Sequence, residues 1–222
     1  MRKTIFAEGE FYHIYNRGTE KRTIFLDEQD FLRFLQSLEE FNTLDPVGGI
    51  FQNSFLKKQL RGSTSKLDNS FKQKEKLVNI VAYCLNPNHY HLILQQVSEK
   101  GIEKFMQRLG TGYTMYFNNK NERTGALFQG KFKAVHIDSN IYLLHVSAYV
   151  NLNDQVHQLR GSTSKSSWIE YTKKNNKGGI CEKESVLGQF RTKGDYVTFA
   201  KNSIRGTIER RGLLDESILL EE

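Results

Sequence analysis

Cysteine is scarce: Cys84 and Cys181 are the only two in 222 residues. That excludes a disulfide framework and a zinc site built on thiolates. Long apolar runs are missing as well, and none could span a bilayer. The opening stretch from Met1 to Ala7 runs into Glu8, Gly9 and Glu10, without the apolar segment of a signal peptide. A cytoplasmic protein with no membrane partner is expected. Acidic side chains are in deficit, with 25 Asp and Glu against 32 Lys and Arg, for a net charge of +7. The isoelectric point of about 9.3 favours a polyanionic partner, because each phosphate neutralised by Lys or Arg releases a counterion. A hydrophobic share of 38% with 12% aromatics argues against disorder and suits one sizeable core, or one domain with a small appendage.

Periodicity organises what is there. Phe11 to Tyr15 is aromatic and β-branched, a strand closed by Asn16-Arg17-Gly18. Asp27 caps a helix whose apolar face is Phe31, Phe34, Leu35 and Leu38. From about 44 to 76 the pattern fades into Gly, Ser, Asn and Lys, an exposed insertion. Leu77 to Leu85 and His89 to Val97 form a hairpin around the turn Asn86-Pro87-Asn88. Ser98 is the expected cap of a helix carrying Ile102, Phe105, Met106, Leu109, Tyr113, Tyr116 and Phe117 at steps of three and four. Lys131 to Ile137 alternates as a further strand, and Asp138 or Ser139 opens a helix through Tyr142, Leu143, Val146, Tyr149 and Val150. The order is β-α-β-β-α-β plus one helix, which predicts an α+β, ferredoxin-like antiparallel sheet with two helices on one face. Residues 1–154 would form this domain. Residues 155–222 read as a polar, partly helical appendage, with helical pieces near Ser167–Tyr171 and Tyr196–Ile204.

Asn86-Pro87-Asn88-His89-Tyr90-His91 is the most informative stretch. Side chains two apart on a strand share a face, so His89 and His91 can offer two imidazoles to one divalent ion. A bare His-x-His is equally readable as two ordinary histidines. Tyr149 and Asn153 are one helical turn apart and share a face. The carboxamide of Asn153 can act as a third ligand and the phenol of Tyr149 as a nucleophile, although Tyr149 also continues the apolar stripe of its helix.

Taken together, His89-Tyr90-His91 on a strand, Tyr149 and Asn153 on a later helix, and Phe11-Tyr12-His13-Ile14-Tyr15-Asn16-Arg17-Gly18 resemble the single-tyrosine HUH transposases. The nearest branch looks like the REP-associated tyrosine transposases of the IS200-like family. Met106 to Gly110, Tyr116 to Asn118 and Gly125 to Lys133 match further segments, so the likeness runs from about Phe11 to Trp168. Tyr90 fills a position that is more often apolar, and Asp154 one that is often proline. The resemblance implies the HUH endonuclease fold and a metal site of His89, His91 and Asn153 for Mg²⁺ or Mn²⁺. It further implies attack by Tyr149 on a phosphodiester of single-stranded DNA at a hairpin, through a 5′-phosphotyrosine bond that a 3′-hydroxyl later reverses. Arg17, Arg108, Arg123, Lys131 and Lys133 are the candidates for phosphate contacts, and Tyr113 and Tyr116 for stacking on bases. The enzyme would work as a monomer or a homodimer, with the appendage clamping DNA or covering the site. The rivals are a non-catalytic RRM-like binding module, a domesticated nickase acting on host repeats, and a nuclease that uses water.

Gln-Leu-Arg-Gly-Ser-Thr-Ser-Lys occurs twice, at Gln59–Lys66 and Gln158–Lys165. No hydrophobic face accompanies it, so it is not a structural repeat unit. Leu-Arg-Gly-Ser-Thr-Ser-Lys can be written CTT AGA GGT TCA ACC TCT AAG, whose outer codons are reverse complements around the central Ser codon. At the first copy Gln59 and Leu67 extend the pairing through CAA and TTG. The expectation is a palindromic DNA element inserted in frame, twice, into surface loops.

Overall fold

The computed structural model describes residues 4–45, 75–157, 159, 164–173 and 179–213, the last five of these by backbone alone. The expected insertion at 44–76 and the first copy of the octapeptide lie almost wholly outside the described residues. So does the second copy, apart from Leu159, Ser164 and Lys165.

Five antiparallel strands make one sheet in the order β4-β1-β3-β2-β5. They are β1 (Phe11–Arg17), β2 (Val78–Asn86), β3 (His89–Gln96), β4 (Lys133–Ile137) and β5 (Lys165–Ser166). The first four give the ferredoxin-like arrangement, and β5 adds a short edge by pairing Lys165 with Leu85 and Ser166 with Cys84. Alternation decides which face each side chain meets. Tyr12, Ile14, Tyr90, Leu92 and Leu94 point to one core, closed by helices α1 (Glu28–Glu40) and α2 (Gly101–Lys120). Ile93 and Ile137 point to the other, closed by α3 (Asn140–Asn151), α4 (Asn153–Val156), α5 (Trp168–Thr172), α6 (Glu184–Leu187) and α7 (Lys193–Leu213).

A bulge in β2 decides which of its side chains reach the α3 face. Ile80 pairs with Leu94 but Ala82 with Ile93, so Val81 is an extra residue. It reverses the phase of the strand: Val78 and Ile80 face the α1–α2 core, yet so do Tyr83 and Leu85, while Val81, Ala82 and Cys84 face α3. Re-aiming side chains is the usual consequence of a bulge.

Helix ends follow local chemistry with one correction. Asp27 and Ser139 cap α1 and α3 through side-chain bonds to Asp30 N and Tyr142 N. Ser98 does not cap α2. The cap is Lys100, held at φ 56°, and the Ser98 hydroxyl instead donates to Leu77 O at 3.3 Å. The tight join to β2 explains this, because a Cβ at Gly101 would lie 2.1 Å from the Leu77 carbonyl oxygen. Among the described residues after 154, α7 packs along α3, burying Tyr196, Ala200 and Ile204. Among the described residues no helix is long and apolar enough to cross a membrane.

Candidate active site

Register brings the site together on the α3 face. Tyr15 stands opposite His91 and Arg17 opposite His89 across β1 and β3, while Asn86 pairs with His89 across the hairpin. Lys133 lies beyond Tyr15 on the edge strand. The rows Lys133–Tyr15–His91–Cys84 and Arg17–His89–Asn86 therefore run side by side across the sheet. Over them hangs the end of α3. Tyr149, half-buried, presents its ring edge-on to His91 at 5.6 Å and to His13 at 6.2 Å between centroids. The helix does not run on unbroken to Asn153: Leu152 sits at φ −117°, ψ 23°, and Asn153 begins the short α4. The turn still delivers its fully buried carboxamide to His89, with Oδ1 3.4 Å from His89 Nε2.

The four residues singled out as nucleophile and ligands, His89, His91, Tyr149 and Asn153, thus stand together. Their hydrogen bonds bear on whether they suit a cation. His89 Nδ1 lies 2.6 Å from Asn88 Oδ1, which accepts its proton and leaves the Nε2 lone pair directed at the Asn86 and Asn153 amides. His91 Nδ1 lies 2.9 Å from His13 Nε2. Burial pushes the His13 imidazole down to about 4, so it is neutral at pH 7 and able to accept the Nδ1 proton of His91. Each imidazole then has one nitrogen tied to an outer partner, the usual condition of metal-bound histidine. The buried Nδ2 of Asn153 has no partner. Among the described residues no group of three or more His, Cys, Asp or Glu side chains could hold a metal. Two imidazoles and a carboxamide are a different donor set, the imidazoles suited to a transition-metal ion and the carbonyl oxygen to a harder one such as Mn²⁺ or Mg²⁺.

Three neighbours were not named from sequence as site residues. His13 touches His91, His157 stacks edge-on with His89 at 4.8 Å, and Asn86 bonds both His89 and Asn153. Alternation puts His13 and Tyr15 on one face of β1, a usable signal. Which strand lies beside them is a matter of sheet order. The phenol of Tyr15 is pushed above its ordinary range, first by burial and then by the neighbouring Tyr149 and Tyr142 phenols.

The expected DNA contacts divide. Lys131 and Lys133 are exposed at the β4 edge, with the Lys133 ammonium 5.9 Å from the Tyr15 ring. Arg17 donates through Nε to Gln129 Oε1 beside them. Arg108, Tyr113 and Tyr116 lie on α2, with the sheet between them and Tyr149. Arg108 donates to the carbonyls of Phe41 and Thr43. Tyr113 is fully buried and donates to Ile24 O at 2.7 Å, so no base can reach its ring here. Tyr116 donates to Asp30, and Arg123 donates to Asn118 Oδ1 and Ala126 O in the turn after α2.

No curated protein matches the chain. Solved chains do match, among them a REP-associated tyrosine transposase bound to a REP hairpin. It is similar over 84% of this chain and 96% of that one, at 13% identity and a TM-score of 0.49. Residues 51–153, which span β2, β3, α2, β4, α3 and the first residue of α4, match the family model described as "Transposase IS200 like". His89, His91, Tyr149 and Asn153 all lie inside this stretch, which is similar to the IS200-like transposases.

Proposed function

We propose that the protein is a single-tyrosine transposase that nicks and rejoins single-stranded DNA at hairpins, with Tyr149 as nucleophile and a divalent cation at His89, His91 and Asn153. The observation that carries this reading is the half-buried Tyr149 ring standing edge-on to His91, one of a pair of imidazoles whose outer nitrogens are already engaged. A core tyrosine has no need of such neighbours, and a simple binding module has no need of this set.

The Tyr149 phenol oxygen attacks phosphorus, forming an O–P bond as the bond from phosphorus to the 3′ oxygen breaks. The phenol proton passes to water, and the departing 3′ oxygen takes one from water. The products are a 5′-phosphotyrosine and a free 3′-hydroxyl, and the energy of the phosphodiester is kept for resealing. A bound Mg²⁺ or Mn²⁺ would polarise the scissile phosphate and neutralise the charge that develops on it. Lys133 and Arg17 lie at the same side of the sheet as Tyr15 and His91, and with the exposed Lys131 nearby in the chain they can hold the backbone on either side of the cut. Hairpin DNA is the first substrate to offer, because the repeated Leu-Arg-Gly-Ser-Thr-Ser-Lys can itself be encoded by a hairpin.

The test is an adduct assay. Labelled single-stranded hairpins are incubated with the protein and Mn²⁺, then separated under denaturing conditions. A covalent protein–DNA species that needs metal and disappears in Tyr149→Phe is expected. Nicking that persists in Tyr149→Phe would assign the attack to water, and binding without cleavage on every hairpin would leave a binding module.

A further inference from the structure

We infer that Asn86 is a fourth ligand of this centre, one whose carboxamide turns from donor to acceptor when a divalent cation binds; the inference rests on the reading of His89, His91 and Asn153 as ligands.

Asn86 is fully buried at the end of β2. Its Nδ2 donates to Asn153 Oδ1 at 2.6 Å and lies 2.9 Å from His89 Nε2, and these two acceptors are themselves 3.4 Å apart. Two proposed ligand atoms thus converge on one NH₂ group. The positive end of the amide sits between them, in the kind of position a cation takes. A carboxamide has ends of opposite polarity and nearly equal shape, exchanged by a half-turn about one bond. After that turn Oδ1 joins His89 Nε2 and Asn153 Oδ1, making three acceptors around one point. Without a cation they repel; with one they are a hard-ion site. The turn gives up little elsewhere, since the other end of the amide meets only the Cys84 thiol, a weak donor, at 3.5 Å.

Nothing in the strand's alternation would aim Asn86 here. Without the extra residue at Val81, even-numbered positions of β2 would continue toward the α1–α2 core, as Val78 and Ile80 do. The bulge places Asn86 on the face of His89, His91 and Asn153, and a device that re-aims one buried polar side chain onto two proposed ligands is accounted for by a ligand's role.

Mn²⁺ binding to the full chain tests this, measured by calorimetry and by the paramagnetic resonance signal of free Mn²⁺. Asn86→Leu keeps the shape and removes the oxygen, and should bind Mn²⁺ at least about tenfold more weakly. Asn86→Asp replaces the turned amide with a fixed anionic oxygen and should bind about tenfold more tightly. Melting in EDTA reports whether each variant folds. Asn86→Leu binding as tightly as the parent would overturn the inference and leave the ligand set standing. If the Leu variant does not fold, the Asp variant decides, and unchanged or weaker binding overturns it. A parent chain that binds no Mn²⁺ would remove the ligand set, and this inference with it.

Discussion

His13 meets the site through a ring nitrogen that strand periodicity alone does not forecast. Alternation along Phe11 to Tyr15 puts His13 and Tyr15 on one face. It does not say that β3 lies alongside, or that His13 Nε2 falls 2.9 Å from His91 Nδ1. The pair His89 and His91 was legible because two residues on one strand carry their own spacing. Their outer partners, Asn88 and His13, were not: one depends on a hairpin turn and the other on sheet order. Outer partners of metal-bound histidine set its tautomer, and their loss typically weakens metal binding by about 10- to 100-fold. His13→Phe keeps an aromatic ring against Tyr149 and His91 but cannot accept a proton. It should weaken Mn²⁺ binding by about tenfold at pH 7.5 while melting close to the parent in EDTA. Equal affinity in a calorimetric titration would remove His13 from the site. Tyr113 marks the opposite limit of legibility. Its helical spacing fits a stacking platform and a core position equally, and only burial separates them.

Elements bring these residues to each other, and α3 is held at both ends of its last turns. Two residues before Tyr149, the Ser147 hydroxyl lies 3.2 Å from the Tyr196 hydroxyl. Two residues after it, Asn151 donates to that same oxygen at 2.8 Å. Ser167 donates to Asn151 Oδ1 at 2.6 Å and its hydroxyl accepts from Tyr83 N at 3.0 Å, which ties the helix to β2. The Tyr196 phenol titrates only near 12, burial being the main cause, so the network is neutral and fully hydrogen-bonded at working pH. Tyr196→Phe leaves the Asn151 amide without its acceptor in a buried place, at a cost of about 1–3 kcal/mol. Chemical denaturation should read that loss. Under saturating DNA and Mn²⁺ the adduct should form more slowly, because Tyr149 rides on the freed turn. Stability and rate both at parental values would mean that the appended helix merely covers α3. Across the sheet, α1 and α2 are joined by Lys120, which contacts the fully buried Asp30 at 2.7 Å and the exposed Asp27 at 2.8 Å. Lys120→Met should cost about 1–3 kcal/mol, below a fully broken buried pair because Asp30 keeps its bonds to Leu26 N and Tyr116. Lys120 holds the Asp27 carboxyl below its ordinary value. That stability is present above the unfolded carboxylate range and fades as pH falls through and below it. The Met variant should therefore lose less stability than the parent between neutral pH and pH 3, and equal losses would count against the pair. Helices and strands of this kind were readable because their periods are local. The bulge at Val81, the break at Leu152 and the cap at Lys100 were not, since each answers to a neighbour far along the chain.

At the scale of the whole molecule, the octapeptide repeat falls at two places where the described chain is closed by its own hydrogen bonds. Leu44 N donates to Glu75 O at 2.9 Å, and Asn42 binds Leu77 N, Val78 N and Val78 O. The described chain thus leaves and re-enters the fold at one clasp. Further along the chain, Leu159 N donates to Asp154 O and Lys165 pairs with Leu85. In sequence the first copy of Gln-Leu-Arg-Gly-Ser-Thr-Ser-Lys falls between Leu44 and Glu75, and the second runs from 158 to 165; exposed loop tips are where insertions are tolerated best. Removing Gln59–Lys66 should change stability by no more than about 0.6 kcal/mol, since closure entropy varies slowly with loop length. A peptide present twice with no hydrophobic face calls for an explanation at the level of DNA. The order Leu-Arg-Gly-Ser-Thr-Ser-Lys permits a perfect hairpin because Leu and Lys, Arg and Ser, and Gly and Thr have reverse-complementary codons. A protein that cuts and rejoins hairpin strands would then carry a hairpin in its own gene, as DNA that entered in frame. Sequencing the gene decides whether the codons pair. Matched stems at both copies are expected, and unpaired codons at both would end the idea whatever the enzyme does. Where stems exist, a single-stranded oligonucleotide of the first copy with its flanks should yield the Tyr149 adduct, whereas an oligonucleotide recoded to break the stem should not. Equal cleavage of both would make the hairpin incidental, and the repeat would then be a duplicated loop peptide.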